Sequence, residues 1–84
     1  MESDIITLEI TSPTNTQTFH VEWIEIESPT GSFLVGPNHI PLVSIIKKKS
    51  KLLYKKAGEG EFSIEIFGGI FKVQDNKATI LLDN

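Results

Sequence analysis

The stretch "TGSFLVGPNHIPL", residues 30–42, sets the pattern from which the fold of this chain can be predicted. A short apolar segment follows the turn signal "SPTG", residues 28–31, and is itself followed by two prolines. Pro37 and Pro41 each fix a backbone φ angle, and Asn38 tolerates the left-handed conformation of tight turns. The stretch therefore predicts a short strand that runs into a stiff surface loop.

Outward from this stretch, apolar and polar residues alternate with a period of two along most of the chain. The alternation is clearest in the runs 6–10, 24–27, 62–66 and 78–82. Successive side chains of a strand point to opposite faces, so this spacing predicts half-buried β-strands. The turn signals "AGEG" at 57–60 and "QDN" at 74–76 are short enough for hairpin loops. Only Pro41–Ile46 has a spacing compatible with one or two helical turns.

The sequence predicts one all-β domain over residues 1–84, an antiparallel β-sandwich or flattened barrel of about eight to ten short strands. With no cysteine, its core must come from the 39% hydrophobic residues or be completed by a partner. No apolar run approaches the ~18 residues of a membrane span. The amino terminus has Glu2 and Asp4 in place of a signal peptide's basic start, so we expect a soluble intracellular protein.

The basic residues are unevenly distributed. All eight are lysines, and six of them lie within the ten positions 47–56, with no acid between Glu27 and Glu59. The cluster is open to two interpretations: a patch for an anionic surface, or lysines that keep a solvated strand edge from pairing with other chains. The net charge of −3 and the lack of arginine, which favours bidentate phosphate contacts, weigh against nucleic acid as a partner.

The sequence offers little for catalysis or for binding a cofactor. His39 has no acid near it in the chain to orient it as a base, and His20 fits a half-exposed strand residue. Two histidines without cysteine cannot supply a structural zinc site. No helix-forming segment follows Gly36 or the glycine pair 68–69, so neither is a phosphate loop. We expect no catalytic, metal or cofactor site and assign His39 to packing and contact.

A glycine pair interrupts an apolar strand in "FGGIF", residues 67–71. Such a pair weakens a strand and usually marks a bulge or a place where another backbone comes close. Phe67, Ile70 and Phe71 would supply apolar surface on both faces of the sheet. Two interpretations remain open: a bulge alone, or a docking face for a partner helix.

Taken in order, four stretches resemble the amino-terminal β-sandwich of the epsilon subunit of F-type ATP synthases, which is the delta subunit in mitochondria. They are "LEITSPT" at 8–14, "TGSFLVGPNHIPLVSIIK" at 30–47, "GGIFKV" at 68–73 and "NKATILLD" at 76–83. The G-x-(F/L)-x-V-x-P-x-H-x-P-L pattern is the most specific part. The chain departs from the family pattern at Asn38 (usually Gly), at Thr30 and Ser32 (often acids), at Phe67 (usually Ser), and at "KKKSK" 47–51, which replaces a Lys-Pro-Gly turn.

The resemblance implies a non-catalytic rotor-stalk subunit that couples ion flow through the c-ring to rotation of the gamma subunit. It places the protein at the cytoplasmic face of the bacterial inner membrane as a peripheral subunit, with a plastid thylakoid as the less favoured alternative. The residues carried over to the c-ring contact are Ser28, Pro29, Thr30, Gly31, Ser32 and Phe33, with Asn38 and His39 in the neighbouring loop. Those carried over to the gamma contact are Thr11, Ser44, Phe67, Gly68 and Gly69.

Typical members of the family continue into a carboxy-terminal helical hairpin that can block ATP hydrolysis, whereas this sequence stops at Asn84. The expectation is a short form that couples but does not inhibit by helix extension. The alternative from another class is a free-standing β-sandwich adaptor that binds an unrelated protein through its glycine-bearing strand. An enzyme that uses His39 is the third alternative.

Overall fold

The computed structural model describes residues 4–83, which form eight β-strands and no helix. The strands are β1 Ile6–Ser12, β2 Asn15–Ser28, β3 Gly31–Val35, β4 Leu42–Ile46, β5 Ser50–Lys56, β6 Glu61–Ile66, β7 Gly69–Gln74 and β8 Lys77–Leu82. The all-β prediction and the strand number are confirmed. The segment whose spacing allowed helical turns is strand β4 instead.

The strands form a single curled sheet in the order β4-β7-β8-β1-β2-β5-β6, with β3 also paired to β2. All neighbouring strands are antiparallel except β1 and β8, which run parallel. This pair joins the first and last strands of the chain, so no hairpin constrains its direction. The hairpin loops predicted at 57–60 and around 75–76 are confirmed, and Asp75 and Asn76 have the positive φ angles of 51° and 62° that a two-residue turn requires.

Strand β2 joins the two halves of the sheet, since its 14 residues are twice the 7 of β1 or β5. Val21 pairs with both β1 and β5, so these strands lie on opposite sides of β2. Ile24 pairs with both β3 and β5, which puts β3 on the same side as β1. Between Val21 and Trp23 the register shifts, with Glu22 as the extra residue of a β-bulge. A bulge bends its strand and lets the sheet curl around one core.

The core lies on the concave inner face of the curled sheet. In β7, the buried Phe71 and Val73 alternate with the exposed Ile70 and Lys72, as a period of two requires. Phe71 is the largest fully buried side chain of the described residues. The buried hydrophobic residues are Ile6, Leu8, Ile10, Val21, Ile24, Ile26, Val35, Ile46, Leu52, Tyr54, Ile66, Phe71, Val73, Ala78 and Ile80.

Candidate partner-binding surfaces

The outer face of β4, β7 and β8 carries a row of exposed apolar side chains. Ile45 pairs with Ile70, and Ile70 in turn pairs with Leu81, so the three side chains lie side by side across three strands. They are 65%, 47% and 47% exposed, respectively. Val43, two residues before Ile45 on the same face of β4, is 65% exposed. We call Val43, Ile45, Ile70 and Leu81 the apolar row.

The apolar row gives this half of the sheet apolar residues on both faces. Strand β8 illustrates the arrangement, because Ile80 is fully buried in the core while the adjacent Leu81 points outward. Strands covered on both faces are apolar at successive positions, whereas a solvated outer face is polar. A contiguous exposed apolar patch on a small domain marks a contact surface for another molecule.

The residues predicted to face gamma do not all lie on this outer face. Thr11 pairs with Leu81 and extends the apolar row onto β1. Ser44 pairs with the fully buried Phe71, so its side chain lies on the inner face, on the other side of β4 from Ile45. Phe67, 57% exposed, lies with Lys49 and Lys51 around a separate surface concavity.

The glycine pair faces its own neighbouring strand. A Cβ atom at Gly69 would collide with the carbonyl oxygen of Leu81, and one at Gly68 would lie 2.6 Å from a carboxylate oxygen of Asp83. The Asp83 N–H donates to the carbonyl of Gly68 at 3.1 Å. At Gly69, therefore, the expected close approach of another backbone is observed, and that backbone is β8 at Leu81. At Gly68 the nearest group is the Asp83 side chain.

The turn between β2 and β3 belongs to the predicted c-ring contact and is held from beneath by Ser28. This serine is only 6% exposed. Its hydroxyl donates to the carbonyl of Gly31 at 2.9 Å and accepts from the N–H of Thr30 at 3.2 Å. Pro29, Thr30, Gly31 and Ser32 are exposed, while Phe33 is partly buried against the core. Within this segment, Ser28 and Phe33 support the fold and the four residues between them form the accessible surface.

The loop with Asn38 and His39 lies at the other end of β4. The Asn38 N–H donates at 2.8 Å to the side-chain oxygen of Asn76 in the turn between β7 and β8. Pro29, in contrast, lines a concavity with Ile46 at the far end of β4. The expectation that the two predicted ring-facing segments are neighbours is wrong, because β4 lies between them and its ends are about 13 Å apart at ~3.3 Å per residue.

His39 is half-buried in this loop, and its Nδ1 atom lies 2.7 Å from the carbonyl oxygen of Ile40. This contact with the adjacent residue is consistent with a packing role. Within residues 4–83 no group of three or more His, Cys, Asp and Glu side chains is arranged to hold a metal ion. The same residues include no helix long and apolar enough to cross a membrane.

The six clustered lysines divide into two groups. Strand β5 lies between β2 and β6, so the interpretation that its lysines protect a strand edge is wrong. Lys55 instead forms an ion pair with Glu22 at 2.8 Å. The ammonium group of Lys56 lies 4.6 Å from the ring centroids of both Phe19 and Phe62. The second group, Lys47, Lys48, Lys49 and Lys51, lies in and just after the turn between β4 and β5.

The sequence matches one family model over residues 5–84, described as "ATP synthase, Delta/Epsilon chain, beta-sandwich domain". It is 38% identical over 64 residues to a protein of Nitratidesulfovibrio vulgaris (strain DSM 19637 / Miyazaki F) named ATP synthase epsilon chain, a match that covers 76% of this chain and 46% of the relative. The chain thus spans about half the length of this relative.

Among the solved structures that share the fold, two come from mitochondrial ATP synthases. The first, a cryo-EM structure of the Euglena gracilis mitochondrial ATP synthase with OSCP, F1 and c-ring, contains a chain that matches with a TM-score of 0.89 at 21% identity, over 98% of this chain and 52% of that one. The second, the central stalk and c-ring of the Tetrahymena thermophila mitochondrial ATP synthase, matches with a TM-score of 0.76 at 15% identity, over 93% of this chain and 63% of that one.

Proposed function

The chain belongs to the β-sandwich family of the ATP synthase delta and epsilon chains, and from this premise we propose that it is a central-stalk subunit that links the gamma subunit to the c-ring. In this role it catalyses no reaction itself and serves as a stiff element of the rotor, through which ion flow is coupled to rotation. It lies on the cytoplasmic face of the bacterial inner membrane and is held there by the rest of the complex.

The observation that carries the proposal is the apolar row. A rotor subunit has to hold its partner while torque passes between them, so it needs a contact surface that is already ordered before binding. The row meets this need, because its side chains project from three hydrogen-bonded strands backed by the core. Covering these half-exposed side chains contributes about 1 kcal/mol for each. We assign the outer face of β4, β7 and β8 to gamma, with Thr11 at its margin.

The turn between β2 and β3 is assigned to the c-ring. Its exposed residues Pro29, Thr30, Gly31 and Ser32 present hydroxyl and backbone groups that can hydrogen-bond to the polar loops of the ring. The two matching structures are of ATP synthase assemblies that include a c-ring. The loop with Asn38 and His39 lies at the opposite end of β4 and is not assigned to this contact.

The assignment to gamma is tested by replacing Ile70 with aspartate. Ile70 is 47% exposed and lies in the middle of the apolar row, so a buried carboxylate there opposes docking while the inner-face core stays intact. We expect the Kd for purified gamma subunit, measured by calorimetry, to rise at least about tenfold.

Leu34→Asp is the matched control. Leu34 is 66% exposed on β3, away from the apolar row, and its replacement should leave the Kd for gamma unchanged. If both variants weaken binding to gamma equally, the assignment of the outer face of β4, β7 and β8 to gamma is wrong. Failure of the unaltered chain to bind gamma at all would reject the central-stalk role and favour the adaptor alternative.

A further inference from the structure

The turn between β4 and β5 has a lysine where the backbone disfavours one. Lys49 has a φ angle of 57°, in the left-handed region. The other described non-glycine residues with positive φ are Asn38, Asp75 and Asn76, whose short polar side chains tolerate this conformation. The long side chain of lysine does not stabilise this left-handed conformation by a local hydrogen bond. A residue kept in an unfavourable backbone conformation points to a use for its side chain elsewhere.

The turn is rigidly attached next to the segment assigned to the c-ring. The N–H of Lys47 donates to the carbonyl of Glu27 at 2.8 Å, which ties the turn to the end of β2. The hydroxyl of Ser50 donates to the carbonyl of Lys47 at 2.7 Å and closes the turn. Pro29 lines the same concavity as Lys47 and Lys48. Lys47 and Lys48 therefore adjoin the turn between β2 and β3, while Lys49 and Lys51, next in the chain, line a second concavity with Phe67.

The charge on this surface is mostly unpaired. Lys47 forms an ion pair with Glu27 at 3.7 Å. Lys48, Lys49 and Lys51 are exposed, and within residues 4–83 no carboxylate oxygen lies within 4.0 Å of their ammonium groups. The acids nearest in the lining of the two adjacent concavities are Glu65 and Asp83. Since the exposed residues 29–32 carry no charge, the surface has an excess of positive charge.

We infer that Lys48, Lys49 and Lys51 dock on acidic side chains in the loops of the c-ring. The inference rests on the proposed function, which places the adjoining turn on the ring. It specifies the partner surface further: the loops that this chain meets carry carboxylates. Protein loops are favoured over lipid because the lysines continue a surface whose other exposed groups are uncharged hydrogen-bonding groups suited to a polar protein loop.

The test compares binding to purified gamma subunit with binding to a purified complex of gamma and c-ring. The variant combines Lys48→Gln, Lys49→Asn and Lys51→Gln, which removes three charges and leaves a residue at position 49 that accepts positive φ. We expect affinity for gamma alone to be unchanged. Affinity for the complex of gamma and c-ring should fall roughly tenfold at low salt, and the difference should shrink as salt screens the charges.

Two further variants separate charge from folding. Replacing the same three lysines by arginine keeps the charge and should preserve affinity for the complex. Lys49→Asn alone should raise the urea midpoint of unfolding, because it relieves the backbone, and yet weaken binding to the complex. A raised midpoint with unchanged binding would overturn the inference for Lys49.

The remaining outcomes distinguish the alternatives. If the triple neutral variant binds the complex of gamma and c-ring as well as the unaltered chain does, the inference fails while the proposed function stands. Lysine-dependent binding to vesicles of phosphatidylcholine and phosphatidylglycerol, with no lysine dependence on the ring, would also overturn it in favour of a lipid surface. If the unaltered chain binds neither gamma nor the complex, the proposed function itself fails.

Discussion

Gly69 shows at the scale of a single residue why a strand interior can require glycine. Its position is set by the approach of β8, whose Leu81 carbonyl oxygen occupies the space that a Cβ atom would need. Because that oxygen belongs to backbone in a paired strand, it cannot move aside without disturbing the pairing of β7 and β8. The glycine is therefore needed for packing within the chain, independently of any partner.

Replacing Gly69 with alanine should lower the free energy of unfolding by about 2–3 kcal/mol, the usual cost of overpacking. Urea denaturation followed by the fluorescence of Trp23 measures the change. Gly60→Ala is the matched control, since nothing lies within 4 Å of a Cβ placed there. Equal effects of the two substitutions would show that the loss at Gly69 is a general cost of replacing glycine.

Tyr54 is a second residue whose surroundings determine its chemistry. It is 5% exposed and stacks between Phe19 and Phe62, with ring centroids 5.4 and 5.8 Å away. Burial raises the pKa of the Tyr54 phenol above its ordinary value, because the phenolate loses hydration. The folded state thus favours the protonated form, and this contribution to stability is present below pH ~10 and is lost as the pH rises above it.

A spectroscopic titration can test the shift directly, because Tyr54 is the only tyrosine. We expect the phenolate absorbance near ~295 nm to appear with a midpoint above ~10 in the folded protein and near ~10 in concentrated urea. Circular dichroism at each pH checks that the protein is still folded where the midpoint is read. Identical midpoints in the two solvents would contradict the assigned effect of burial.

At the scale of elements, the turn between β7 and β8 fastens three separate parts of the chain together. The side chain of Asn76 accepts from the N–H of Asn38 at 2.8 Å and donates to the carbonyl of Ile5 at 3.0 Å. The N–H of Thr7 donates to the Asn76 carbonyl at 3.1 Å. One turn residue thereby holds the loop between β3 and β4 and the start of β1 in place.

Asn76→Gly should lower the free energy of unfolding by about 1–2 kcal/mol, because two side-chain hydrogen bonds are lost while the positive φ angle stays accessible. Asp75→Gly is the matched control, since Asp75 also has positive φ and its side chain makes no hydrogen bond within residues 4–83. Urea denaturation of both variants distinguishes the effect of losing the Asn76 hydrogen bonds from the effect of placing glycine in the turn. A loss at position 75 as large as that at position 76 would contradict the bridging role.

Strand β5 shows how the position of an element changes the meaning of its residues. From sequence its lysines fitted an exposed edge, but pairing with both β2 and β6 makes it an interior strand. Lys55 then meets the carboxylate of the bulge residue Glu22, and Lys56 lies over two aromatic rings. A lysine in this segment thus forms an ion pair, packs on aromatic rings or stays exposed, depending on its position along the strand.

In the molecule as a whole, apolar side chains are buried on the inner face of the sheet but partly exposed on its outer face. The inner face buries a continuous core, whereas the outer face of β4, β7 and β8 leaves the apolar row exposed. Such a surface on a small domain is suited to a partner, and the hydrophobic content of the sequence left open a core completed by a partner. The Ile70→Asp test belongs here, because it changes the proposed contact with gamma and leaves the inner core intact.

Different surface groups lie at the two ends of β4. Pro29, Lys47 and Lys48 lie at one end, and Asn38 is fastened to Asn76 at the other. The lysine variants are expected to affect the end assigned to the c-ring and to leave the apolar row unchanged. Ile45 and Ile70 of the apolar row line the same concavity as Pro29, Lys47 and Lys48, so the surfaces assigned to gamma and to the c-ring adjoin. Binding to gamma alone reports on the apolar row, and binding to the complex of gamma and c-ring reports on both parts.

The class of fold and the positions of most turns could be predicted from the sequence, because alternation and turn chemistry are local. The period of two, the glycines, prolines and asparagines, and the family pattern all lie within short stretches that can be read directly. The sequence also predicted apolar surface on both faces at Ile70, but not its extension to Val43, Ile45 and Leu81, although neighbouring apolar residues such as Ile45–Ile46 and Leu81–Leu82 indicated strands covered on both faces.

Which residues share a surface became known from the three-dimensional arrangement of the strands. It paired β1 with β8 in parallel, turned Ser44 to the inner face, and separated Pro29 from Asn38 by the length of β4. These relations depend on register and strand order, which link residues far apart in the chain. A shift of one residue in register exchanges the faces of a strand without changing its local pattern, and for that reason sequence alone could not assign the contact surfaces.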